Sequence, residues 1–311
     1  MNEHRYNGLL LGLLVGLATV GLTAAGVSVN SPRVSSSAPP QAVTRTILDS
    51  ITPTLVPAPT STPTSFPSPS PSSTPKPTYT SRPPSMASKT PEATADPGID
   101  AGLVIGHSVQ GRPIIAHGTG SGPIKVVLVG DIHGEYEANT HVLAQQLVDH
   151  FQEHPEDVPA NVSLWIIPTM NPDGLATGHR WNANEVDLNR NADTDLDGCA
   201  GNDWSPDTVG YEGPHPGAGG AYPFSEPEIR AVRDFLADAS IAVFYHSAAA
   251  AIFVDTCQRH APTSRLAQAL SEGTGYPVPE EGWVGYPITG DLGDYLAGEG
   301  VAAVTVELTD H

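Results

Sequence analysis

"KVVLVGDIHGEYE", residues 125–137, decides the fold. Val126 to Val129 are apolar without alternation, as a strand buried on both faces of a sheet requires, and the run breaks at Gly130 and Asp131. We read 125–131 as a strand with His133 and Glu135 just past its end. In extended chain these two point the same way. Four further stretches have the same texture: "RPIIAHG" (112–118), "SLWIIPT" (163–169), "IAVFYHS" (241–247) and "AAVTVEL" (302–308). Helical segments at 137–152, 226–238 and 263–273 lie between them. Strands alternating with helices from Ile99 onward mean an α/β domain over 99–311, with its site expected at the strand ends.

Upstream of this domain the texture is different. Arg5 precedes an uncharged apolar stretch from Gly8 to Val29, so 1–30 reads as an export signal or, from its length, an uncleaved membrane anchor. Residues 31–98 hold 16 of the 31 prolines, mixed with Ser and Thr. Proline removes backbone donors and fixes φ, so this segment is expected to be a disordered, extended stalk. The domain is therefore placed outside the cytoplasm, either secreted or held at the cell surface.

The 311-residue chain carries a net charge of −20. Residues 1–98 contain six Lys/Arg and four Asp/Glu, which leaves eight basic against 30 acidic side chains in the domain. Such a surface repels nucleic acid and anionic lipid. Cys199 and Cys257 lack zinc-knuckle spacing, and an oxidising compartment favours a disulfide between them over two free thiols.

The polar residues at the strand ends carry the chemistry. His133 and Glu135 can face one ion, and His246, which ends "IAVFYHS", is the third candidate ligand. Two imidazoles and a carboxylate leave a tetrahedral zinc with an open position, as catalytic sites do. Arg180 and Arg190 both fall in the turn-rich segment 171–191, where they suit either carboxylate and oxyanion binding or salt bridges to the abundant acids. Glu307 ends an apolar run, where a carboxylate is costly without a partner, and is the candidate general base. Asp193, Asp195, Asp197 and Gly198 are spaced like the start of a calcium loop, but Trp204 stands where the bidentate Glu belongs. A solvated acidic loop is the favoured reading.

In order along the chain, "HGEYE", "NPDG", an Arg ahead of "VDLNRN", "PFSEPE", "YHS", "GYPITGDLGDY" and "TVEL" resemble the zinc carboxypeptidase family over residues 103–309. The resemblance implies a single three-layer α/β domain with a mixed, largely parallel central sheet flanked by helices. It also implies one zinc per chain on His133, Glu135 and His246, with Glu307 as the general base and Arg180 on the oxyanion. Asn189 and Arg190 would grip the carboxylate of the released residue, and Tyr286 would close over it.

Within the family, the compact "RWNANEVDLNRN" and the "YP", "G", "GDY" pattern look most like the bacterial murein peptide amidases. That branch implies hydrolysis at γ-D-glutamyl-diaminopimelate in wall peptides. Gly293 would face the released side chain. Asp291 would meet either the distal ammonium of diaminopimelate or a helix N-terminus. The rival functions are a general carboxypeptidase trimming peptide C-termini and a surface-anchored binding module with a dead site. Relatives continue beyond the position where this chain ends, four residues after Glu307, so a truncated or partner-supported domain is expected.

Overall fold

The structure, a computed structural model, describes residues 102–195, 198–257, 260–280 and 283–310. The expected signal or anchor and the stalk lie outside these residues. No helix among the described residues is long and apolar enough to cross a membrane.

The five expected strands form, with ends shifted by up to two residues: β2 (Pro113–Thr119), β3 (Ile124–Val129), β4 (Val162–Ile167), β7 (Ile241–Ser247) and β9 (Ala302–Leu308). Two edge strands that were not expected join them, β1 (Leu103–His107) and β8 (Ala251–Phe253). A separate hairpin pairs β5 (Thr208–Gly210) with β6 (Gly213–His215). The described sheet runs β1-β2-β4-β3-β7-β9-β8. Its centre, β4-β3-β7-β9, is parallel, and the outer pairs are antiparallel. This is the mixed, largely parallel sheet that the family resemblance implied. β7 is buried along its whole length, which accounts for its continuous apolar run.

Helices cover both faces. On one side lie α1 (Ala138–Glu153) and the later α4 (Ala261–Thr274). Leu143, Ala144, Leu147, Val148 and Phe151 of α1 recur at helical spacing and pack on Val126, Leu128, Leu164 and Ile166. On the other side α3 (Pro227–Leu236) and the short α5 (Leu292–Gly298) bring Ile229, Val232, Leu292 and Leu296 against Val127, Val129, Ala242, Phe244 and Ala303. The one-turn helix α2 (Pro172–Thr177) follows β4, with Asn171 as its N-cap. Along β7, Ala242, Phe244 and His246 share the α3/α5 face, and so do Ala303 and Glu307 of β9. The polar ends of β3, β7 and β9 therefore open onto one rim.

Candidate active site

Beyond β3 the chain is not extended. Gly134 takes φ +53, and Gly134–Glu137 form a 3₁₀ turn leading directly into α1. A Cβ on Gly134 would stand 2.2 Å from the His179 carbonyl, so only glycine lets the turn pass beneath the 174–179 loop. The turn changes the expected ligand set. Glu135 points into solvent, whereas Glu137 is buried one helical turn from His133. The i,i+2 spacing that favoured Glu135 holds for a strand; in a helical turn i and i+4 share a side.

His133, Glu137 and His246 bring donor atoms within 4.8 Å of one another, and all three side chains are buried. Glu137 faces both imidazoles, with Oε1 2.7 Å from His133 Nδ1 and Oε2 3.1 Å from His246 Nδ1. The rings meet edge to face with centroids 4.8 Å apart. Burial opposes the charge on Glu137, but the two imidazoles hold its carboxyl well below the usual range. His246 is raised above its usual value: burial works against its charge, and Glu137, then Glu307 and Asp291, outweigh it. Two nitrogens and a carboxylate that draw positive charge into a buried spot are a donor set suited to zinc.

Asp187 supports this set. Its Oδ1 lies 3.2 Å from His133 Nε2. Arg180 Nη2 also reaches that nitrogen, at 2.9 Å, yet one ring nitrogen cannot accept from a guanidinium and donate to a carboxylate together. Donation of Nε2–H to Asp187 is the tautomer in which Nδ1 can ligate a metal, the arrangement that carboxylate partners of ligating histidines commonly impose. Burial raises the Asp187 carboxyl, but His133, Arg180 and Arg190 bring it well below the usual range. "VDLNRN" contained Asp187, and nothing in the one-dimensional pattern assigned it a task. The same is true of Asn171, whose side-chain amide donates to the carbonyls of Ile132 and Arg180, both at 3.2 Å, and so pins the metal loop to the arginine loop.

A cavity of about 730 Å³ opens over the three donors. His246 and Glu307 are register partners across β7 and β9, which puts the expected general base beside the donor set. Burial raises the Glu307 carboxyl; His246 lowers it, Glu137 raises it, and the balance stays above the usual value. Arg180, Asn189, Arg190, Tyr286 and Asp291 all line the same cavity. Arg180 lies 3.5 Å from Glu137 Oε1 and beneath the ring of Tyr136. Arg190 is buried, its guanidinium donating to the Asn189 carbonyl at 2.7 Å. Gly293 is buried and does not line the cavity; Asp291 Oδ1 is 2.9 Å from where its Cβ would stand. Asp291 is the N-cap of α5, with Oδ1 accepting from the Asp294 amide at 3.1 Å.

Cys199 and Cys257 are joined, with Cα atoms 6.1 Å apart. In the acidic insert Asp195 is exposed and accepts from the Trp204 amide, while Thr194, Cys199 and Asn202 are buried. The described acids of the loop, Asp193, Asp195, Asp203 and Asp207, are exposed or half-exposed, and its buried residues are uncharged. Asp197 lies outside the described residues.

The sequence model of the family described as zinc carboxypeptidase matches residues 93–309. Carboxypeptidase SOL1 of Arabidopsis thaliana is 33% identical over 97 residues, 28% of this chain and 20% of that protein. The chain thus spans one fifth of that curated relative. The solved structure of bovine thrombin-activatable fibrinolysis inhibitor shares the fold, at 20% identity and TM-score 0.54, over 66% of this chain and 78% of that one. The murein-tripeptide amidase MpaA of Escherichia coli O157 is 23% identical over 70% of this chain and 85% of its own, with TM-score 0.48.

Proposed function

Because the chain belongs to the zinc carboxypeptidase family, we propose that it is a zinc-dependent hydrolase. It cleaves the peptide or amide bond ahead of a terminal residue that carries a free carboxylate. The observation that carries this reading is the convergence of three buried donors, a carboxylate of raised pKa and two arginines on one cavity. His133, Glu137 and His246 would hold the ion, which when bound supplies Lewis acidity to a carbonyl and to water. Glu307 takes the proton of the attacking water and returns it to the leaving amine, and its raised pKa brings it nearer neutrality for both transfers. Arg180 faces the oxyanion. Asn189 and Arg190 bind the carboxylate of the residue to be released, a task suited to a buried guanidinium fork. Tyr286, on the cavity wall, closes over it.

The substrate class we infer is wall-derived peptide containing γ-D-glutamyl-diaminopimelate, met outside the cytoplasm. The compact segment between Arg180 and Arg190 supports it, as does Asp291, an acid on the cavity that suits the distal ammonium. Metal analysis together with a peptide panel tests both levels of the proposal. One zinc per chain and preferential cleavage of γ-D-glutamyl-diaminopimelate are expected. Preference for L-linked peptide C-termini would replace the substrate class with general carboxypeptidase activity, and zinc-free protein that hydrolyses nothing would overturn the enzyme reading. Glu307→Gln is expected to lower turnover by about 10²–10⁴-fold, the range for losing a general base, with zinc content unchanged.

A further inference from the structure

The bridge between Cys199 and Cys257 lines a second cavity of about 130 Å³, together with Asn202, Asp255, His260 and Asp294 among others. Asp294 lines both cavities and is therefore the partition between them. Its carboxylate is clasped from two sides. Thr256 donates its amide to Oδ1 at 2.7 Å and its hydroxyl to Oδ2 at 2.6 Å, and Asn202 donates its side-chain amide to Oδ2 at 2.9 Å. Thr256 is the residue before Cys257, and Asn202 lies three after Cys199. The bridge thus joins the two segments that hold the partition.

The same insert also carries the loop leading from Tyr286 to Asp291. The Gly290 amide donates to the Asn202 carbonyl at 3.0 Å, and the Gly290 carbonyl accepts from the Ala192 amide at 2.9 Å. Gly290 takes φ +64, and a Cβ there would lie 2.5 Å from the Arg190 carbonyl. The loop is therefore fitted directly against the arginine segment.

We propose that the cystine is the strut of the pocket for the released residue. By fixing Asn202 and Thr256 on Asp294 it sets the position and charge of that wall of the cleft, and so decides which residue is accepted, without touching substrate. Asn202 is on this account a positioning residue. The inference rests on the hydrolase reading above.

The test measures kcat and KM for acylated peptides that differ only in the last residue: diaminopimelate, Lys, Phe, Ala and Glu. The intact chain is compared with Cys199→Ala/Cys257→Ala and with Asn202→Ala, which keeps the bridge. Both variants are expected to compress the ratio of kcat/KM between best and worst substrate by about tenfold or more, the scale on which pocket shape discriminates. The change should lie in KM, while kcat on the best substrate stays within about threefold, well inside that scale. Unchanged ratios, or an equal loss on every peptide, would overturn the strut. If the double variant does not fold, Asn202→Ala decides alone. No cleavage of any peptide by the intact chain would overturn the hydrolase reading and this inference with it; cleavage with unaltered selectivity in the variants would overturn this inference only.

Discussion

At the scale of single residues, the third donor proposed for the metal gives the sharpest expectation. Glu137 is buried between the two imidazoles, and Glu135, two residues earlier, is in solvent. Glu137→Gln should lose zinc, while Glu135→Gln should bind it as the unmodified chain does. Equal retention by both variants would remove Glu137 from the donor set. Asp187→Asn keeps the shape beside His133 Nε2 but weakens the contact that fixes the ring. A fall in zinc affinity of about 10–100-fold is expected, as for other outer-shell carboxylates; competition with a chelator reads it. The sequence made His133, His246 and Glu307 legible because each ends an apolar run. It assigned the carboxylate ligand to Glu135 on the i,i+2 spacing of an extended chain, because the turn that brings Glu137 in instead depends on the dihedral angles of Gly134.

At the scale of elements, the N-terminal turn of α5 ties stability to pH. Burial, together with the neighbouring Asp291, pushes Asp294 from an ordinary 3.8 up to about 7, although Thr256 and Asn202 favour its anion. The folded state thus holds this proton more tightly than the unfolded chain does. The stability it contributes is complete below about pH 4 and is lost as pH rises through about 7, with a slope of at most ~1.4 kcal/mol per pH unit. Denaturant unfolding of the intact chain and of Asp294→Asn should therefore diverge between pH 4 and 7 and run parallel above about pH 8. A difference that does not vary with pH would rule the shift out. The main strands other than β2, and the three long helices, were legible because each carries five or more apolar residues, nearly continuous in a strand and at helical spacing in a helix. β1, β8, α2 and α5 were not. They are short, and their places are set by pairing and capping partners distant in sequence, as where Asn171 caps α2 and Asp291 caps α5.

At the scale of the whole molecule, the cystine closes a loop 58 residues apart in sequence. In the chain-entropy account it stabilises the fold by about 4 kcal/mol. Thermal unfolding of Cys199→Ala/Cys257→Ala should stay cooperative at a lower midpoint; an unchanged midpoint would mean that the unfolded chain is not constrained by the bridge. The layers on either side of the sheet pack largely without it, since α1 with α4 and α3 with α5 each bury a continuous apolar face. By itself the sequence determined the α/β alternation, the strands buried on both faces, the acidic charge and, through its motifs, most of the residues that meet at the cleft. These are properties of period, composition and order, which a linear chain displays. Only the tertiary structure decided that Glu137 faces the two imidazoles, that Asp187 orients His133, and that the acidic insert backs the pocket rather than merely meeting solvent. Each of these depends on distance between segments up to 110 residues apart, as from Glu137 to Ser247, and the direction of a turn fixes that distance where residue spacing does not.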